Sequence, residues 1–186
     1  MDRREFLLGA LAATNAVALP ATAQCQPIDL GIQNIPQQMS NWCWAAAAQQ
    51  VIYWAQGSAP SQCALVAQAN GTPSAPVCSM PWNANVPGHM QQIRFLIGQH
   101  VGAFTSLVGP GSQTDVYQTV ASGRPIIMLV NPGFSQVGHF VVIRGVSCGF
   151  SALTLHINDP LGWPGLSSAI AYAQIAPIWQ SAIIVG

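Results

Sequence analysis

The sequence predicts an α+β domain, with an N-terminal helical part packed against a C-terminal antiparallel β-sheet. Three observations carry that expectation. Between residues 42 and 99 apolar side chains recur at helical spacing, in segments rich in Ala and Gln. After residue 103 the period changes to short β-branched runs, notably 125–130 and 138–146. Gly and Pro punctuate the chain between these segments. Helices followed by strands, rather than alternating with them, read as α+β.

Residues 1–23 read as an export signal. Arg3 and Arg4 head an apolar run, and Ala21-Thr22-Ala23 forms a small-x-small cleavage site. The run is shorter than the roughly 20 residues a spanning helix needs. Asp2-Arg3-Arg4-Glu5-Phe6-Leu7 resembles a twin-arginine signal, with Asp2 in place of the usual Ser or Thr. Cys25 raises the alternative of a lipid anchor, but Ala23-Gln24 fits a lipobox poorly, so soluble export to a periplasm or medium is expected. Residues 24–186 then make one domain, long enough to bury a core.

From residue 24 onward the charged side chains are Asp29, Asp115, Asp159, Arg94, Arg124 and Arg144, with no Lys. That balance gives no electrostatic basis for binding nucleic acid, and no basic amphipathic stretch offers itself to a membrane surface. No Cys-x-x-Cys or His-x-x-x-His cluster points to a metal, and no cofactor is expected. Five cysteines leave one over if the rest pair. With Cys43 as the free thiol, three connectivities remain for Cys25, Cys63, Cys78 and Cys148. Cys63–Cys78 and Cys25–Cys148 are favoured, because the first closes a short Pro-rich loop and the second ties down the N-terminal arm.

Residues 30–38 read as an extended arm leading to a helix over 42–55. Ser40 and Asn41 are N-cap types, Gly57 sits where the helix should stop, and Trp44, Ala47, Ala48, Val51 and Ala55 share one face. Cys43 falls in the first turn. There the free N–H groups and the helix dipole favour a thiolate, and the same N–H groups can receive an oxyanion beside it. Ser61 caps a second helix over 62–70, and residues 72–87, with four prolines, read as an irregular crossover. A third helix is expected from Pro87 to about Gln99. His89 and His100, on or beside it, have no motif around them and read as surface or packing histidines.

In the second half a strand is expected at 103–108, and Ser112-Gln113-Thr114-Asp115 has the pattern of a capping box opening a helix to about Ser122. Strands are expected at 125–130, 138–146, 153–157, 166–173 and 178–185, with a turn at 162–165. His139 heads an apolar strand, which should mount an exposed imidazole at a loop edge. Asp159, held by Pro160, ends the next strand. Antiparallel pairing of the two strands would bring His139 and Asp159 together. Cys43, His139 and Asp159 would then form a nucleophile, a base and a group that orients the base.

The segment Gln37…Asn41-Trp42-Cys43-Trp44-Ala45-Ala46 resembles the active-site segment of papain-like cysteine peptidases, in the Cys-Trp-Ala-Ala form of the bacterial secreted and effector branch. Gly138-His139-Phe140-Val141-Val142-Ile143 and Asn158-Asp159-Pro160 also resemble that family's pattern, in its chain order. The resemblance implies a papain-like fold, a peptide or protein substrate, peptide-bond hydrolysis and a Gln that assists the oxyanion hole. Gln37 has the papain-type spacing and Gln38 is a near-equal candidate. Asn158 competes with Asp159 for the third position. Alternation puts the two on opposite faces, and Asp159-Pro160 suits the bacterial branch better. His156 is a lesser candidate base. Trp163 is placed to cover the His139–Asp159 pair, or else to fill a turn. Of Trp42 and Trp44 one should pack inward and one, Trp44, should line the substrate groove. A monomer is expected. A peptidoglycan amidase, an acyltransferase or deamidase, and a non-catalytic binding module on the same fold are the competing functions.

Overall fold

The computed structural model describes residues 25–131, 133, 138–149, 152–163, 166 and 168–186. The export signal expected at 1–23 lies outside them, as does half of the turn expected at 162–165. In chain order the elements are β1 (Ile28–Asp29), α1 (Cys43–Gln56), α2 (Gln62–Ala69), α3 (Ser74–Ser79), a 3-10 turn (Pro81–Ala84), α4 (Met90–His100), β2 (Phe104–Val108), α5 (Gln113–Ala121), β3 (Ile126–Val130), β4 (His139–Cys148), β5 (Leu153–Asn158), β6 (Ser168–Ala171), α6 (Tyr172–Ile175), a second 3-10 turn (Ala176–Ile178) and β7 (Trp179–Val185). The strands form one antiparallel sheet in the order β2-β7-β3-β4-β5-β6, and β1 pairs with the far half of β4.

Both faces of this sheet are covered, which is why its central strands lack a polar face. Ile127, Phe140, Val142, Ile183 and Val185 pack against α1, α2 and α4 in one core. Ile126, Met128, Val141, Ile143 and Ile184 pack on the other side with α5, Ile175 and Trp179. The period-2 alternation of each strand thus divides its apolar residues between two cores. The bulge at Arg144 on β4 leads to Gly145, where β1 crosses so closely that an added Cβ would stand 2.5 Å from the Ile28 carbonyl oxygen.

Helix α1 is the central rod. Every residue from Cys43 to Ala48 is buried, so no narrow stripe describes it. Ala55, expected on the buried face, is exposed near the helix end. Gly57 closes the helix, its N–H bonded to the Tyr53 carbonyl at 2.7 Å. The Ser61 cap of α2 and the Ser112/Asp115 capping box of α5 form as expected. The crossover at 72–87 instead contains α3 and a 3-10 turn, each started by the fixed φ of a proline at or next to its first residue. The helix expected from Pro87 begins at Met90, after His89 has bonded its N–H to the Gln92 side chain. The strand expected at 166–173 covers only Ser168–Ala171, because Tyr172–Ile175 coils into α6.

Disulfides join Cys25 to Cys148 and Cys63 to Cys78, leaving Cys43 as the free thiol. The first pins the N-terminal arm to the end of β4, and the second ties α2 to α3. The arm that follows β1 threads between the two halves of the domain. Trp54 on α1 donates to the Leu30 carbonyl at 2.9 Å, and Gln62 on α2 donates to the Pro36 carbonyl at 2.8 Å. From the sheet side, Asn158 donates to the Ile32 carbonyl at 2.9 Å.

Candidate active site

Cys43 is the first residue of α1 and only 9% exposed. Neither Ser40 nor Asn41 caps the helix, contrary to expectation. Trp42 occupies the N-cap position and makes no side-chain cap. The two polar side chains are held by Asn85. Asn41 Nδ2 donates to the Asn85 carbonyl at 2.9 Å, and Asn85 Nδ2 donates to Ser40 Oγ at 2.9 Å. The helix start beside the sulfur is therefore left with uncapped N–H groups.

His139 opens β4, and Asp159 follows the end of β5. The antiparallel register, in which Val142 faces Asn158, brings the two together. Nε2 of His139 lies 2.6 Å from Oδ1 of Asp159, and the Cys43 side chain is near enough to the same imidazole to act on its charge. Both residues are buried, so the exposed imidazole expected from the sequence is not found. The strand start is roofed by the loop after β5, with the Trp163 ring centred 5.1 Å from that of His139 and tilted by 48°.

Burial alone would lower the imidazole pKa. The hydrogen bonds and negative charge of Asp159 and Cys43 outweigh it and raise His139 to about 9. Burial likewise opposes ionisation of Asp159, yet its pKa is lowered. The His139 bond and charge do this together with backbone N–H groups, Leu161 donating to Oδ1 at 2.8 Å and Trp163 to Oδ2 at 2.7 Å. At neutral pH the buried pair is thus a carboxylate and an imidazolium, with Cys43 nearby.

Cys43 and His139 border a cavity of about 150 Å³, walled by Asn41, Gly88, Leu161 and Trp163. Trp163 lines it. Trp44 does not. It is fully buried behind Gly88, whose backbone lies against the indole so tightly that an added Cβ would sit 2.3 Å from it. Trp42 is buried too, donating from Nε1 to the Ala84 carbonyl at 2.9 Å. Both indoles pack into the interior at the start of α1, so neither reaches the cavity.

The Gln37 amide is engaged before any substrate arrives. Nε2 donates to the carbonyls of Met39 at 2.9 Å and Ser40 at 2.8 Å, while Oε1 is buried without a partner among the described residues. Gln38 is exposed and gives only its backbone N–H, to Gln62. Asn158 points away from His139, to Ile32. His156 bonds Ser147 Oγ at 2.9 Å, and His100 bonds the Gln68 side chain at 2.8 Å.

The Peptidase_C39 like family matches this sequence over residues 29–181, a span that contains Cys43, His139 and Asp159. The chain belongs to that family. With the papain-like fold, membership marks this C39-like chain as a cysteine peptidase hydrolase. Among solved structures it is similar to a putative C39-like peptidase from Bacillus anthracis, with TM-score 0.60 and 14% identity over 87% of this chain and 98% of that one. It is also similar to a digestive procathepsin L2 proteinase from Tenebrio molitor larval midgut, with TM-score 0.56 and 16% identity over 92% of this chain and 70% of that one. A structure from work on the mite allergens Blo t 1 and Der p 1 scores 0.56 at 15% identity, over 92% of this chain and 72% of that one. These likenesses establish the fold. No curated protein sequence matches the chain. No helix among the described residues of this C39-like chain is long and apolar enough to cross a membrane, and its two disulfides fit an oxidising compartment.

Sequence reasoning missed Asn85, which holds the loop before Cys43, and the buried Gln50 of α1. A capping-type side chain diverted by a residue 44 positions away leaves no local signal. Gln50 follows Gln49 directly, and nothing in the sequence tells which of the two the core encloses.

Proposed function

We propose that the chain is an exported cysteine endopeptidase in which Cys43, His139 and Asp159 act as a catalytic triad. The observation that carries this reading is a single buried imidazole, bonded to a carboxylate and set beside the free thiol in the wall of one cavity. A base held between a nucleophile and an orienting acid is the arrangement covalent acyl transfer requires.

His139 keeps its proton at neutral pH and so places a positive charge against the sulfur. The Cys43 thiolate attacks the peptide carbonyl, forming the S–C bond. The backbone N–H of Cys43 receives the oxyanion together with the Gln37 amide, which releases Met39 or Ser40 to do so. As the C–N bond breaks, His139 gives its proton to the departing amine. The now neutral imidazole takes a proton from water, and the resulting hydroxide displaces the thiol from the thioester. Asp159 keeps the ring oriented throughout. The enzyme works as a monomer on peptides or unfolded proteins, outside the cytoplasm, once residues 1–23 are removed.

The test is labelling with a thiol-directed peptidase inhibitor, with cleavage of a peptide pool read in the same sample. Labelling and cleavage should both vanish in Cys43→Ala. Stoichiometric labelling retained in that variant, or cleavage confined to cell-wall peptides, would refute the assignment.

A further inference from the structure

We propose that Gln50 and Asn34 form a positioning relay that carries the placement of the Cys43 helix to Asp159. This deepens the triad reading above and rests on it. Gln50 stands on α1 two helical turns after Cys43, on nearly the same face. It is 1% exposed, an amide in a core where an apolar side chain would fill the space without desolvating polar atoms. Its Nε2 donates to Asn34 Oδ1 and to the Ile35 carbonyl, each at 3.1 Å. Asn34 Nδ2 in turn donates to the backbone carbonyl of Asp159 at 3.1 Å. Three residues on, the Gln37 N–H donates to the Pro160 carbonyl at 3.0 Å.

Cys43 and Asp159 lie on opposite halves of the domain, and His139 needs both at hydrogen-bond distance. Two amide hydrogen bonds in series reach from the Cys43 helix through the arm to the peptide of Asp159 and tie the two halves together there. The Asp159 carboxylate is fixed by Leu161 and Trp163, and its carbonyl by Asn34, so the residue is held from both ends. Oε1 of Gln50 has no partner among the described residues. Neither Asn34 nor Gln50 lines the cavity, so both act through Asp159 and neither touches substrate.

The experiment uses the secreted full-length chain and the variants Asn34→Ala, Asn34→Asp and Gln50→Met. Measured are kcat and KM on a cleaved peptide, the pH dependence of iodoacetamide alkylation of Cys43, and Tm. Ionisable groups facing His139 are Cys43 and Asp159, so a displaced Asp159 should register on the alkylation profile. Expected are a fall in kcat of about 10- to 100-fold with KM nearly unchanged, as for small misplacements of catalytic groups, and a basic limb of alkylation moved to lower pH. Asn34→Asp still accepts from Gln50 but donates nothing to Asp159, so it should be as impaired as Asn34→Ala. Gln50→Met removes the unpaired oxygen, so its Tm should be kept while its kcat falls. If all three keep the wild-type kcat and alkylation profile and differ only in Tm, the relay is overturned. Should Asn34→Ala not fold, the other two variants decide. Failure of the triad reading looks different, since the wild-type chain itself would then lack an imidazole-linked alkylation profile.

Discussion

His139 and Asp159 meet across 2.6 Å with side-chain exposures of 7% and 0%, so their charges are hardly shared with water. Asp159→Asn keeps the shape but removes the charge. It should lower kcat by about 10²- to 10⁴-fold, the scale seen when a triad acid loses its charge. The basic limb of the pH–rate profile, near 9 in the wild type, should move toward the 6.5 of a free imidazole. A profile still ending near pH 9 would show that another group protects the imidazolium.

The same imidazolium ties stability to pH. His139 titrates near 9 when folded and near 6.5 when unfolded. Its stabilisation is therefore complete below about pH 6.5 and is lost as pH rises through 9. The size is at most about 3 kcal/mol. Urea midpoints of the wild type should fall across this window, and those of His139→Gln should fall much less.

Gln37 offers a sharp choice between two roles. As an oxyanion donor its loss in Gln37→Ala should cost about 10² to 10³ in kcat with KM nearly constant. If it only fastens Met39 and Ser40, the variant should melt earlier and keep its kcat. Steady-state kinetics with parallel melting curves separate the two.

Gly88 bears on the groove through Trp44. In Gly88→Ala the new methyl would meet the indole at 2.3 Å, so helix α1 or the 87–89 segment must shift. The expected cost is about 1–3 kcal/mol, read as a lower urea midpoint. Adding Trp44→Leu should recover part of it. A Gly88→Ala chain as stable as the wild type would mean that the wall is pliant.

Much of this was legible because it is local. The apolar run after His139 announces a strand, and alternation separated Asp159 from Asn158. The odd cysteine count, with Cys43 taken as the free thiol, left three pairings, of which the favoured one forms. What stayed hidden depends on distant partners. Trp44 reads as amphipathic until α2 and α4 enclose the helix on its other sides. Ser40 and Asn41 have the chemistry of caps, but Asn85 competes for them. Prolines at 73 and 81 signal a break in one helix and equally the first turn of another. The exposed imidazole was a misjudgement of depth: Trp163 reads as a cover for the pair, but nothing in the strand tells how deep that cover sets the ring.

The last strand in sequence, β7, is hydrogen-bonded between β2 and β3. Without β7, β2 would have no neighbour and β3 would have one bare edge. The residues that meet at the site are instead joined by the β4–β5 pairing, which β7 does not touch, so the sheet edge that closes last lies two strands away from Asp159.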